Sequence, residues 1–306
     1  MECKMIKKIK VKVPATTANM GSGFDVFGMA LSLYNEMEVT FNPKSTTGLS
    51  VKILGEGKET LPKNEKNVAI QAMLETLKIL KCEAAYPLNK MKIVFKNNIS
   101  MCSGMGSSAA AIVAGIIAAG NLCSKKLTKE QITDIAMKFE GHPDNVVPAV
   151  YGGLCVSVKE DSGKIAVVKL PSPRLKIVAC TPYFELSTKH SRRVVPKNVP
   201  TADAVYNMSR TAVLAYAFTK GDYSLLKTAM QDKLHQPYRA NLIPSMTQII
   251  DIAYAHGALG AFLSGSGPTI VAFCKAANAK KVASAMIKLW KQDGVQLRCN
   301  ILDVSN

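Results

Sequence analysis

Aromatic residues are scarce in this chain, 6% of 306 residues with one tryptophan, and acidic residues are outnumbered by basic ones, 22 against 39. The resulting net charge of +17 would suit a polyanion. The lysines are dispersed, however, and no stretch interleaves aromatic with basic residues as base-stacking surfaces do, so no nucleic acid partner is expected. Such a surface instead steers small anions such as nucleotides. Long apolar runs are also missing. The greasiest stretch, Ala109 to Leu122, is alanine-rich and interrupted by Gly115 and Gly120, and it falls short of the roughly 20 apolar residues that span a bilayer. No membrane association is expected. Met1 to Lys10 carries lysines without a following apolar segment and cleavage site, which argues against a secretion leader and for a first strand. The eight cysteines, at positions 3, 82, 102, 123, 155, 180, 274 and 299, form no C-x-x-C pair and no Cys/His grouping of zinc spacing. Scattered singly in apolar contexts, they read as reduced core residues of a cytoplasmic protein, not as a disulfide framework.

Two familiar phosphate-binding signatures are absent as well. The pattern G-x-x-x-x-G-K-[ST] occurs nowhere, since Gly57-Lys58-Glu59-Thr60 lacks both its upstream spacing and the hydroxyl after lysine. Gly104-x-Gly106-x-x-Ala109 imitates the dinucleotide fingerprint. That fingerprint wants an acidic residue about 20 positions later for the ribose, where this chain has Cys123, Ser124, Lys125 and Lys126. A nicotinamide enzyme is therefore disfavoured.

The length allows one large domain or two of about 150 residues. In the first half, strands are expected at Lys7 to Val13, Glu36 to Phe41, Leu49 to Leu54 and 91 to 97, with helices at Asn67 to Leu80 and Ala109 to Leu122. Thr128-Lys129-Glu130-Gln131 has capping-box spacing and opens another helix. Strands follow at Leu154 to Val158 and Ile165 to Leu170. Pro171-Ser172-Pro173 punctuates the chain and sets the expected division into residues 1–170 and 171–306. Beyond it come a strand (Leu175 to Cys180), helices (Thr201 to Thr219, Tyr223 to Lys233, Ser245 to His256), two strands (Leu259 to Ser264, Thr269 to Cys274), a helix (Ala277 to Gln292) and a last strand (Gln296 to Val304). This is an α+β half of the split βαβ type.

Three polar, glycine-bearing segments interrupt these elements. Ser103-Gly104-Met105-Gly106-Ser107-Ser108-Ala109 runs from a strand into the alanine helix. Free N–H groups and the macrodipole there suit an anion, the glycines admit close backbone approach, and the serines add hydroxyls. Taken alone, the loop fits equally well a glycine turn that starts a buried helix. Pro14-Ala15-Thr16-Thr17-Ala18-Asn19-Met20-Gly21-Ser22-Gly23-Phe24-Asp25 ends the first strand, where scaffolds place ligands, although Asx turns at Asn19 and Asp25 would also account for it. Ser264-Gly265-Ser266-Gly267-Pro268-Thr269 reads by itself as a hairpin turn. A fourth segment, Glu140-Gly141-His142-Pro143-Asp144-Asn145, crowds carboxylates, an imidazole and an amide around a helix entry with Pro143 at its first position.

In order and spacing these segments resemble the GHMP kinase family over nearly the whole chain. His142-Pro143-Asp144-Asn145, Ser187-Thr188-Lys189-x-x-Arg192 and His235-x-Pro237-Tyr238-Arg239 resemble its homoserine-phosphorylating branch. Ser100 stands where a proline usually begins the phosphate loop, Met105 replaces a leucine, and Ser22 replaces a proline. The resemblance implies a two-domain fold, an N-terminal half like domain 2 of ribosomal protein S5 and a ferredoxin-like C-terminal half. It also implies Mg²⁺-assisted phosphoryl transfer from ATP to the hydroxyl of L-homoserine in threonine biosynthesis, by a homodimer. Mevalonate or another small alcohol is the alternative acceptor.

By that resemblance, Ser103, Gly104, Met105, Gly106, Ser107 and Ser108 cradle the phosphates, Asn67 lies by adenine, and Ser107 or Ser108 with Glu140 holds Mg²⁺. Arg192 and Arg239 clamp the acceptor carboxylate, a task suited to paired charged hydrogen bonds. Asp25 balances the ammonium, Asn19, His142 and Asp144 orient the rest, and Thr188 bears on phosphate or acceptor. Asn145 stands where mevalonate-type members carry an aspartate base, and an amide accepts no proton at neutral pH. Transfer without a dedicated base follows, with the hydroxyl positioned for attack and its proton passing late to phosphate oxygen.

Overall fold

A computed structural model describes residues 5–306; Cys3 and the start of the expected first strand lie outside them. The first half is a sheet of β1 (Lys7–Ala18), β2 (Phe27–Phe41), β3 (Ser50–Gly55), β4 (Met91–Asn97), β5 (Leu154–Lys159) and β6 (Ile165–Leu170), with helices α1 (Val68–Ile79), α2 (Ser107–Leu122), α3 (Lys129–Ala136) and α4 (Pro143–Tyr151). The second half comprises β7 (Lys176–Pro182), α5 (Thr188–Arg193), α6 (Thr201–Lys220), α7 (Leu226–Ala229), α8 (Gln236–Arg239), α9 (Met246–Ala255), β8 (Ala258–Leu263), β9 (Ile270–Cys274), α10 (Ala279–Gln292) and β10 (Leu297–Leu302).

The long strand β2 is the spine of the first sheet, whose order is β3-β4-β2-β5-β6. It pairs with β1 throughout, with β4 through Glu36 to Phe41 and with β5 through Phe27 to Met29. Helices α1 and α2 pack together closely, because a Cβ on Gly115 would lie 2.0 Å from the Ala69 carbonyl oxygen. The capping box of α3 forms as its sequence predicts, with Gln131 N–H donating to Thr128 Oγ1 (3.2 Å) and Thr128 N–H donating to Gln131 Oε1 (2.9 Å).

The second sheet, β10-β7-β9-β8, is antiparallel at every pairing. Numbered within its half the order is 4-1-3-2, the ferredoxin-like arrangement. Both faces are covered. Ile177, Ala179 and Phe273 join Phe218 and the buried residues of the first half in one core, while Val178, Ala272 and Cys274 pack with Ile249, Met286 and Trp290.

Beside β1 and β2, which are longer than expected because they run on to Ala18 and start already at Phe27, the structure corrects three expectations. The helix expected over Tyr223 to Lys233 is broken after Ala229, and the chain turns before restarting as α8. Asp232 causes the break: its carboxylate accepts from the N–H groups of Leu234, His235 and Gln236 and from Asn207 Nδ2, which holds the chain in a turn. The six-residue α5 is additional. The third concerns the reduced cysteines, for Cys180 and Cys299 face each other across β7 and β10 and form a disulfide. Cys82, Cys102, Cys123, Cys155 and Cys274 are free.

Candidate active site

Segments far apart in sequence meet at one cavity of ≈ 170 Å³. Asn19, Ser103, Gly104, Gly106, Ser107, Ser108, Glu140, His142, Asp144, Asn145, Thr188, Arg192 and Arg239 line it, together with Cys102, Gly265 and Ser266. Asp25 stands immediately behind, paired to Arg192 and His142. Met105 is buried beneath the phosphate loop, where its carbonyl accepts from Thr16 N–H (3.1 Å). Asn67 is outside the cavity lining. Its side chain caps α1, accepting from Ala69 N–H (3.0 Å) and donating to the Pro62 carbonyl (3.1 Å).

The loop that starts α2 is fixed from below and behind. Gly104 and Gly106 have φ of +77° and +68°, the left-handed region that favours glycine. Neither position has room for a side chain: a Cβ on Gly104 would sit 2.1 Å from the Ser264 carbonyl oxygen, and one on Gly106 would sit 1.9 Å from Thr16 Oγ1. Ser264 Oγ donates to the Gly104 carbonyl (2.6 Å), and Thr269 N–H donates to the Ser103 carbonyl (3.1 Å). The Ser264 to Thr269 turn is therefore a buttress for the loop. Helix geometry then leaves the first N–H groups of α2, beginning at Ser107, without intrahelical partners at the cavity. Such a helix start can hold an anion.

The opposite wall is cationic. Arg239 is 1% exposed and almost wholly committed to the protein. Its Nε donates to the Ser191 carbonyl (3.2 Å), and its Nη1 donates to the Gly265 carbonyl (3.0 Å) and to His235 Nδ1 (3.1 Å). His235 Nε2 meets the Gly21 carbonyl at 2.9 Å, which sets the neutral tautomer with its proton on Nε2. Burial lowers the His235 pKa against the opposing pull of Asp232 and the Gly21 carbonyl, which favours the neutral ring that accepts from arginine. Burial, then Arg192, brings Arg239 down to about 10, still a cation at neutral pH. Phe24 stacks on His235 at 4.9 Å between centroids and lies under both guanidiniums, at 5.3 and 5.6 Å. With Nε and Nη1 held, Nη2 is the donor left for a ligand.

Arg192 is differently placed from Arg239. Its fork grips Asp25, Nη2 to Oδ1 at 2.7 Å and Nη1 to Oδ2 at 3.1 Å, and its buried Nε has no partner among the described residues. His142 Nδ1 lies 3.5 Å from the same carboxylate, and burial lowers its pKa. Asp25 is thus already balanced within the protein. Asp144 is not: it is 3% exposed, makes no ion pair among the described residues, and its pKa rises to about 7 through burial first and then the nearby Asp25 charge. Thr188 Oγ1 and Ser266 Oγ are 3.3 Å apart, and Ser191 Oγ donates to the Ser266 carbonyl (2.8 Å), which seats α5 on the turn.

Sequence reasoning missed Thr16, Ser191, Asp232 and His235. Thr16 and His235 stood inside quoted motifs, but their partners, Asn145 and Arg239, are set by tertiary structure. A His four residues before an Arg on one short helical turn was the available signal for the second pair.

The model for the GHMP kinases N terminal domain matches residues 67–153, and that for GHMP kinases C terminal matches residues 214–292. The chain belongs to the GHMP kinase family. It is 39% identical over 298 residues to the homoserine kinase of Desulfitobacterium hafniense (97% of this chain, 98% of that one) and 42% identical over 301 residues to that of Aquifex aeolicus (97% of each). The crystal structure of homoserine kinase from Cytophaga hutchinsonii superposes with a TM-score of 0.87 at 31% identity, covering 97% of this chain and 95% of that one. Mevalonate kinase of L. major in complex with R-mevalonate shares the fold, with a TM-score of 0.75 at 19% identity over 100% of this chain and 99% of that one.

Proposed function

We propose that this protein transfers the γ-phosphoryl group of ATP to the hydroxyl of L-homoserine. One observation carries the reading: the free N–H groups at the start of α2, the Arg239 guanidinium and the unpaired Asp144 carboxyl line the same small cavity. The first suit phosphates. The other two suit an acceptor with a carboxylate and an ammonium, which L-homoserine has and mevalonate, lacking the ammonium, does not. Relatives named homoserine kinase at about 40% identity support the same choice.

Arg239 Nη2 binds the acceptor carboxylate, with Arg192 close by and shifted from Asp25 only so far as the ligand competes for it. Asp144, unpaired and held at the edge of ionisation, takes the ammonium. Ser107, Ser108 and Glu140 face the phosphate end, and their hydroxyl and carboxylate oxygens are the hard donors that Mg²⁺ accepts, two protein ligands being enough beside phosphate and water. The Ser107 hydroxyl is turned to the Ile99 carbonyl (3.4 Å), so Ser108 is assigned to the metal with Glu140. Bound there, Mg²⁺ would neutralise charge on the phosphate oxygens. Asn145 offers amide donors beside the transferring group and no base, so the chain's contribution is positioning and charge compensation. The test is ADP release by purified protein with L-homoserine, mevalonate or galactose. Turnover with L-homoserine alone is expected, and equal or greater turnover with mevalonate would refute the assignment.

A further inference from the structure

We propose that Thr16 is a positioning residue for phosphoryl transfer, aiming the Asn145 amide at the reacting group; the inference deepens the kinase reading and rests on it. Thr16 is fully buried on β1, just past the register shift between Pro14 and Ala15. Bulges of this kind re-aim the side chains that follow. The Thr16 Oγ1 hydroxyl donates to Asn145 Oδ1 at 2.7 Å, and its backbone N–H donates to the Met105 carbonyl at 3.1 Å. Three parts of the site, β1, the phosphate loop and the first turn of α4, are thereby tied to one residue.

The polarity of that hydrogen bond decides what Asn145 shows to the cavity. An amide has one acceptor oxygen and one donor NH₂. With Oδ1 occupied by the Thr16 proton, Nδ2 is the end left for a ligand. Turning the amide over would set Oδ1 against phosphate oxygens and leave the buried Thr16 proton without its acceptor, a costly loss inside a protein. A flipped amide could still donate to the threonine oxygen but would strand the threonine proton, so the hydroxyl favours the orientation that presents the Asn145 NH₂ as donor, the arrangement that stabilises charge developing on a transferring phosphoryl group. Gly106 makes room for it, since a Cβ there would come within 1.9 Å of Thr16 Oγ1 and 3.2 Å of Asn145 Oδ1.

Steady-state kinetics on the full chain test this with Thr16→Val, Thr16→Ser, Asn145→Ala and the double variant Thr16→Val/Asn145→Ala. Thr16→Val is expected to lower kcat about tenfold while KM for ATP and for L-homoserine stays within about twofold. Thr16→Ser, which keeps the donor, recovers most of the rate. The double variant is no slower than Asn145→Ala, because the two residues act as one unit. The proposal is overturned by a Thr16→Val kcat within about twofold of wild type, by losses that multiply in the double variant, or by an effect confined to KM. Should Thr16→Val not fold, Thr16→Ala carries the same comparison. An Asn145→Ala variant at full rate would remove the Thr16 role and leave the kinase reading standing. A wild-type chain that releases no ADP with L-homoserine would remove both.

Discussion

At the residue scale the site separates groups that are already balanced from one that is not. Asp25 has Arg192 and His142; Asp144 has neither, and its folded pKa of about 7 lies well above the ordinary 3.8. The sign is that of a carboxyl kept neutral: it adds stability below its unfolded pKa, and that contribution is lost as pH rises through about 7. An ammonium ligand reverses the preference, because it binds the ionised form. Affinity for L-homoserine should therefore strengthen between about pH 6 and pH 8, and Asp144→Asn should weaken binding and flatten the rise. KM for L-homoserine measured across that range checks it. A rise in the Asn variant equal to the wild type would assign the titration to another group.

At the scale of elements the phosphate loop depends on the turn behind it as much as on its own glycines. Gly104→Ala combines a disfavoured φ of +77° with a Cβ 2.1 Å from the Ser264 carbonyl oxygen. It should cost about 1–3 kcal/mol of stability and raise KM for ATP with little change in KM for L-homoserine. Denaturant midpoints and the two KM values decide this, and unchanged ATP binding would mean that the buttress is dispensable. Most elements were legible because their signals are local: the capping box at Thr128 and Gln131, the alternation over Met91 to Asn97, and the apolar stripe of α10. The illegible parts have non-local causes. The first third of β2, Phe27 to Leu31, is buried continuously with no alternation to read. The break before α8 is partly local, since Asp232 accepts from the N–H groups two to four residues on, but the same carboxylate also accepts from Asn207, which lies 25 residues away in sequence. The cysteine pair is 119 residues apart. In the site itself, residue types and segments could be read from motifs, but not the pairing of Arg192 with Asp25, nor the burial that leaves Asp144 unmatched.

At the scale of the whole molecule the cavity joins the two halves, with α2 and α4 supplied by the first and α5, α8 and the Ser264 to Thr269 turn by the second. Ligands that fill it must stabilise the entire fold, by RT ln(1 + [L]/Kd), about 2.7 kcal/mol at 100 times Kd. An ATP analogue and L-homoserine should each raise the unfolding midpoint. Arg239 separates the two effects, because the proposed function gives it the acceptor carboxylate and gives the first turn of α2 the phosphates. Arg239→Ala removes a buried charged donor from the carboxylate and should weaken L-homoserine by about 2 kcal/mol, roughly 30-fold. At the same L-homoserine concentration its stabilisation then falls to about 0.9 kcal/mol, while the shift with the ATP analogue persists. The comparison is made within the variant, so the stability lost when Ser191, Gly265 and His235 lose their shared donor does not enter it. A variant that kept its full response to L-homoserine would place the carboxylate elsewhere. One that lost its response to the nucleotide as well would mean that Arg239 holds the site open as a whole, through the Gly265 carbonyl and the turn behind the phosphate loop, and does not read the acceptor alone.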